Sequence, residues 1–179
     1  METKTQEFVY IMVSKTNTLL GITIQKLLGV SYNHCSIALD DTLETIYSFG
    51  RKELRNMFVA GFVVESKSSG FFAAHDESDI VVLRIPVSLR EKQRIRQVIW
   101  EYQKTNCKYN LLGLVYCYRG IQKNRGNRLF CSQFVAEVLK RAEIDVLDKP
   151  SSLVRPHDFL SLTSAEFIYT GKIGKYRAA

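Results

Sequence analysis

Residues 130–139 read FCSQFVAEVL and join a cysteine directly to an amphipathic pattern. The apolar residues recur at the spacing of one helical face, which predicts a helix from Cys131 to about Ala142. Cys131 lies on that face one turn earlier, so its sulfur should face a sheet from the helix N-terminus. Free backbone N–H groups and the helix dipole favour a thiolate there, and the same N–H groups can stabilise an oxyanion.

A second informative stretch covers residues 34–49, where two short strands flank a turn. HCSIAL at 34–39 and LETIYSF at 43–49 have strand composition, and Asp40-Asp41 between them is a turn signal. A two-residue turn would place His34 opposite Tyr47 on one face of the hairpin. We therefore predict that Tyr47 is the cross-strand neighbour of His34 and helps to orient its imidazole toward Cys131.

The remaining elements surround these two stretches. Strands are predicted at 7–13, 61–65, 80–87 and 167–173, and helices at about 16–29 and 109–118. A long helix should follow the capping box of Ser88 and Glu91. Strands outnumber helices and most can pair through short hairpins, which favours the α+β class with an antiparallel sheet packed against helices. The 179 residues are expected to form a single domain, 1–179.

The composition is that of a globular protein. Hydrophobic residues make up 46% and charged residues 24%, which excludes disorder and fibrous repeats. The formal charge of +7 favours anionic partners, but without a basic face it does not predict nucleic-acid binding. No stretch approaches the length of a transmembrane helix. The first residues lack the pattern of a signal peptide, which predicts a cytoplasmic, reducing location with free thiols.

Four cysteines and three histidines offer several thiol–imidazole pairs. Spacings of the CxxC or HxxxH kind are absent, so neither a metal nor a cofactor is expected, and GxSxG, P-loop and GxGxxG motifs are absent too. His34 and Cys35 are adjacent in a strand and point to opposite faces, so they cannot pair with each other. Cys117 falls among aromatic residues of a predicted helix, where an inert buried thiol is usual. Cys131 is therefore the strongest nucleophile candidate.

Residues 32–39 (YNHCSIAL), 47–52 (YSFGRK) and 130–139 together resemble a known family. It is the circularly permuted branch of the NlpC-type papain-like cysteine hydrolases, the YiiX/YebB-like group, which is related to lecithin:retinol acyltransferases. The cysteine follows the histidine by 131 − 34 = 97 residues, which is the permuted order. The resemblance implies an α+β papain-like core, with Cys131 as nucleophile and His34 as general base. Relatives often orient the imidazole with a glutamate or another polar residue on the strand after the histidine. The glutamate position falls on Tyr47, which departs from that pattern.

Two classes of function remain open. The first is a cysteine-dependent hydrolase or acyltransferase of the peptidase or amidase type, acting on an amide or ester bond of a small-molecule, peptide or lipid-acyl substrate. The second is a non-catalytic binding module of the same fold that recognises an anionic ligand or a lipid surface. Retention of both Cys131 and His34 favours the enzyme. The basic loop from Lys123 to Arg128 is expected to line the cleft mouth beside Cys131.

Overall fold

The computed structural model describes residues 6–16, 31–52 and 60–178, which contribute to an eight-stranded sheet. The strand order is β7-β6-β4-β3-β2-β1-β5-β8. The strands are β1 (Glu7–Lys15), β2 (His34–Ala38), β3 (Ile46–Arg51), β4 (Ala60–Glu65), β5 (Asp79–Val87), β6 (Lys108–Tyr109), β7 (Arg128–Leu129) and β8 (Glu166–Lys172). All neighbours pair antiparallel except β6 and β7, which are parallel.

Helices cover the sheet and complete an α+β architecture, which confirms the predicted fold class. The α-helices of the described residues are α1 (Gly70–Ala74), α2 (Leu89–Lys104), α3 (Leu111–Tyr118) and α4 (Cys131–Arg141). Short 3-10 helices follow at Ser151–Leu153, Pro156–Ser161 and Ile173–Lys175. The helix predicted at about 16–29 lies almost entirely outside the described residues. No helix in the described ranges is long and apolar enough to cross a membrane.

The central strands β1, β2 and β5 form the most buried part of the molecule, and side chains on the two faces of the sheet enter different cores. Alternate residues of β1, such as Val9 and Ile11, pack with α2 and α4. The intervening residues, such as Tyr10 and Met12, pack with α1 and the C-terminal 3-10 helix. Helix α4 therefore lies against the face of β2 that carries Cys35 and Ile37.

Local sequence signals fix the helix starts. Ser88 and Glu91 form the predicted capping box of α2, in which the Glu91 carboxylate accepts a hydrogen bond of 2.6 Å from the Ser88 N–H. The Asn110 side chain caps α3 by accepting a hydrogen bond of 2.9 Å from the Gly113 N–H. Helix α4 begins at Cys131, as the amphipathic pattern predicts.

The predicted two-residue turn between β2 and β3 is wrong. The structure pairs Ile37 with Tyr47, not His34 with Tyr47, because residues 39–45 form a seven-residue connection. Leu43 is the physical reason. Its side chain is fully buried in the core that also contains Tyr10 and Met12. Its backbone has a φ of 54°, and its carbonyl accepts a hydrogen bond from the Lys67 N–H. Leu43 thus anchors the loop instead of extending the strand, and the register moves by three residues.

Candidate active site

Cys131 is the first residue of α4, delivered there by the short strand β7. The N-cap residue is Phe130, whose side chain makes no capping hydrogen bond. The first-turn N–H groups of a helix have no intrahelical acceptor. Because Phe130 does not cap them, those of α4 have no N-cap side chain as a partner. The Cys131 side chain is 1% exposed. A thiol at this point meets the positive end of a helix in a nearly dry environment.

Hydrogen bonds to one carbonyl hold the start of α4 in place. The Ser132 hydroxyl donates to the Val154 carbonyl oxygen at 2.7 Å, and the Cys117 thiol of α3 lies 3.7 Å from the same oxygen. Arg155, the next residue, donates to the carbonyl oxygens of Cys117 and Tyr118 at the end of α3. These contacts join α3 and α4 beside the thiol of Cys131.

His34 is the first residue of β2, and the chain before it is clamped to the end of β1. The Asn33 side-chain oxygen accepts hydrogen bonds from the Thr16 N–H and hydroxyl, each at 2.9 Å, while the Asn33 amide donates to the Thr16 carbonyl. The Asn33 N–H also donates to the Ser14 carbonyl oxygen at 3.2 Å. This clamp fixes the backbone from which the imidazole projects.

The imidazole of His34 pairs with a carboxylate that the sequence analysis did not single out. Its Nε2 atom lies 3.2 Å from Oε2 of Glu65, the last residue of β4, and the two side chains are only 14% and 17% exposed. Strand β3 runs between them. A low-dielectric position strengthens such a pair relative to the same pair at the surface.

The pKa of His34 reflects these partners. Burial alone would lower it, because desolvation disfavours the charged imidazolium. The negative charge of Glu65 and hydrogen bonds from His34 to Cys131 and Glu65 outweigh burial and raise the pKa of His34 to about 10. We infer that the imidazolium is the stable form of His34 at neutral pH, stabilised by the Glu65 carboxylate.

The other three cysteines lack this environment. All four thiols are free and buried. Burial raises the pKa of Cys35 well above the ordinary value of a cysteine. It also raises the pKa of Cys107 above that value. Burial likewise raises the pKa of Cys117 to about 11. These three thiols therefore stay protonated and unreactive at neutral pH.

Two tyrosines, Tyr109 and Tyr118, interact electrostatically with Cys131. Burial is the main cause that raises the pKa values of Tyr109 and Tyr118, and the negative charge of a Cys131 thiolate is the second cause for both. The same charge is the second cause for Cys35. Both tyrosines therefore stay neutral across the physiological range.

Tyr47, the predicted orienting residue, is not the partner of His34. It lies opposite Ile37, and its ring packs partly buried against Phe62 with ring centroids 6.3 Å apart. Continuing the observed register brings Gly50 opposite His34 instead. A Cβ added at Gly50 would lie 3.6 Å from Cε1 of His34 and 3.5 Å from Cγ2 of Val63. Gly50 thus leaves the space in which the imidazole reaches across β3.

We expect Gly50→Ala to be tolerated and Gly50→Val to displace the imidazole. The alanine methyl would make ordinary van der Waals contacts at 3.5 and 3.6 Å, whereas the extra methyl groups of valine would enter the volume of the His34 ring. Loss of Glu65 as a neighbour should then lower the pKa of His34 by at least about one pH unit. NMR titration of labelled histidine measures this value. Equal titration curves for the two variants would contradict the assigned role of Gly50.

The structure also bears on the expected absence of a metal. Among the described residues, no group of three or more His, Cys, Asp or Glu side chains is arranged to hold a metal ion.

The basic residues before Cys131 lie in an exposed segment, in which Asn124 accepts a hydrogen bond of 3.5 Å from the Gln133 side chain. This contact links the segment to the first turn of α4.

Comparison with known proteins yields a structural neighbour. No family model matches the chain, and no curated protein matches it. The fold is similar to that of a solved structure described as metalloprotein yiiX from Escherichia coli O157:H7, DUF1105. The TM-score is 0.62 at 15% sequence identity, over 93% of this chain and 98% of that chain. A likeness at this identity shows the fold alone. It agrees with a YiiX-like α+β fold of the papain-like kind.

Proposed function

We propose that this protein is a cysteine-dependent hydrolase or acyltransferase acting on an amide or ester bond, with the permuted NlpC-type arrangement that the sequence resembles. Cys131 is the nucleophile, His34 the general acid and base, and Glu65 the residue that positions and charges the imidazole. The observation that carries the proposal is the 3.2 Å pair of His34 with Glu65, together with the electrostatic influence of Cys131 on the pKa of His34. The arrangement matches the geometric logic of nucleophile, base and orienting group.

The reaction proceeds in two steps, acylation of Cys131 and then deacylation. The Cys131 thiolate attacks the substrate carbonyl carbon, and the first-turn N–H groups of α4 donate hydrogen bonds to the oxyanion that forms. Collapse of the tetrahedral intermediate breaks the bond to the leaving amine or alcohol, which takes the proton from the His34 imidazolium. Neutral His34 then removes a proton from water or another acceptor. That acceptor attacks the thioester, and the Cys131 thiolate leaves.

Glu65 suits the positioning role better than a phenol would. A carboxylate stabilises the imidazolium that forms or persists during catalysis, whereas a tyrosine hydroxyl can only accept a hydrogen bond from it. The expected departure from the family pattern at Tyr47 therefore does not weaken the proposal, because β4 supplies the carboxylate.

A metal-dependent mechanism has less support in this chain. The structural neighbour is described as a metalloprotein. The Nε2 atom of His34 is occupied by Glu65, and the described residues offer no set of three His, Cys, Asp or Glu donors. The donor set thus does not fit a bound metal.

Alkylation by iodoacetamide tests the proposal without knowledge of the substrate. We expect Cys131 to react at pH 6 to 7 at least about tenfold faster than the other three thiols, since thiolates are the reactive species. Peptide mapping by mass spectrometry assigns the modified residue. In His34→Ala the reaction of Cys131 should slow by about tenfold or more. Cys107, also buried at the edge of the sheet, provides the internal reference. Equal rates for Cys107 and Cys131 would rule out an activated nucleophile.

A further inference from the structure

Helix α3 is apolar on both of its faces, although one face is exposed. Leu114 and Cys117 are buried against the neighbouring elements. Leu111, Leu112 and Val115 lie on the other side, each 44–53% exposed, and Ile121 just beyond the helix is 46% exposed. They make up half of the eight large exposed hydrophobic residues found in the described ranges. A cluster of this kind on a surface marks an interaction site.

The chain segment that contains this helix carries charge of one sign. Residues 102–136 contain six basic residues and no acidic residue, so this segment carries +6 of the total +7. The basic residues are Lys104, Lys108, Arg119, Lys123, Arg125 and Arg128. On a surface of mixed charge, such side chains would form ion pairs with neighbouring carboxylates, and within the described ranges none of these six does so. The segment therefore presents a field that attracts anions.

Five of these basic side chains form no ion pair with the described residues, and one of them, Lys123, lies over the Tyr116 ring with its Nζ atom 5.1 Å from the ring centroid. Among the ion pairs made by the described residues, none involves Lys108, Arg119, Lys123, Arg125 or Arg128. Four of the five residues are exposed and Arg125 is half-buried. Exposed leucine and isoleucine beside unpaired lysine and arginine is the combination with which peripheral helices lie in the interface of an anionic bilayer.

This face borders the candidate active site. The Asn110 side chain at the start of α3 donates to the Arg128 carbonyl, and the Asn110 N–H donates to the Leu129 carbonyl, two residues before Cys131. At the other end of α3, Tyr118 lies close enough to Cys131 for the charge of a thiolate to affect its pKa. A surface that holds α3 would therefore lie near Cys131.

We propose that α3 and the basic segment after it dock the protein onto an anionic lipid bilayer. Leu111, Leu112, Val115 and Ile121 enter the boundary between headgroups and acyl chains, while the lysine and arginine side chains contact anionic headgroups. The absence of any acidic residue between 102 and 136 favours a bilayer over a second copy of this chain, which would bring like charges together. The docking proposal concerns binding alone and does not depend on the reactivity of Cys131.

Vesicle co-sedimentation tests the proposal with the intact protein. We expect binding to phosphatidylcholine vesicles that contain about a quarter phosphatidylglycerol, and at least about tenfold weaker binding to pure phosphatidylcholine. Raising the salt from about 0.05 to about 0.5 M should weaken the binding to anionic vesicles strongly. Arg125→Gln combined with Arg128→Gln should weaken it by roughly 25-fold, or about fivefold for each lost charge.

A charge-matched pair of variants separates this face from the rest of the surface. Leu112→Glu places a carboxylate in the proposed contact, whereas Leu89→Glu does so at an equally exposed leucine in the first turn of α2. Leu112→Glu should lose vesicle binding and Leu89→Glu should keep it. Equal binding by both variants, or no binding of the wild type to anionic vesicles, would overturn the proposal. So would a wild-type dimer in light scattering that Leu112→Glu converts to a monomer.

Discussion

Replacing Cys131 with alanine or serine is expected to abolish acyl transfer while the fold persists. Loss of the nucleophile in comparable triads lowers the rate by about 10⁴-fold or more, and serine lacks the acidity that lets a thiol act without a strong base. The change removes one sulfur from the first turn of α4, whose position is held independently by Ser132 and Val154. We therefore expect near-native unfolding transitions.

The measurement uses p-nitrophenyl acyl esters, which report acyl transfer to a thiol by release of p-nitrophenol. Wild-type protein should release the phenol and carry the acyl mass on the peptide that contains Cys131. Both variants should lack the adduct. Cys117→Ala is the matched control, because it also removes a buried thiol from a helix and its own thiol has a pKa of about 11. Full turnover by Cys131→Ala, or loss of turnover in Cys117→Ala alone, would exclude covalent catalysis through Cys131.

The elements that the sequence predicts correctly are those whose position is determined by residues close together in the chain. Helix α4 begins at Cys131 because its apolar residues form one uninterrupted face, and the core of β1 and β5 follows from continuous runs of branched residues. The capping box of Ser88 and Glu91 likewise depends on four consecutive residues. In each case the neighbours in sequence are also the neighbours in space.

The register of the hairpin could not be predicted from its turn residues. Asp40 does form a local turn, accepting a hydrogen bond of 3.1 Å from the Thr42 N–H. What sets the length of the loop is Leu43, whose burial in a distant core and contact with Lys67 depend on elements far away in the sequence. Tertiary burial thus overrode a good turn signal and moved Tyr47 away from His34.

Glu65 was missed for a related reason. It lies 31 residues after His34, beyond β3, and only the assembled sheet brings the two side chains together. The signal available in the sequence was a single carboxylate ending the otherwise uncharged stretch AGFVVE at 60–65. A charged residue at the end of a buried strand requires a partner, and His34 is the one that the fold supplies.

Glu65→Gln is expected to lower both the activity and the stability, whereas Tyr47→Phe should change neither appreciably. Glutamine keeps the shape of Glu65 but removes the charge that raises the pKa of His34. Acyl transfer from the p-nitrophenyl esters should fall by roughly 100-fold, because the imidazolium loses its stabilising carboxylate. Tyr47 is partly buried against Phe62 on a strand position opposite Ile37, so loss of its hydroxyl should cost less than about 0.5 kcal/mol.

The pH dependence of stability distinguishes the charge of Glu65 from a general packing effect. Because the folded-state pKa of His34 is raised from 6.5 to about 10, its contribution is complete below pH 6.5 and is lost as the pH rises through 10. Urea unfolding should therefore show Glu65→Gln to be about 2 kcal/mol less stable than wild type at pH 6.5. The difference should shrink steadily toward pH 10. A difference that stays constant over this range would mean that Glu65 acts through packing and not through the charge of His34.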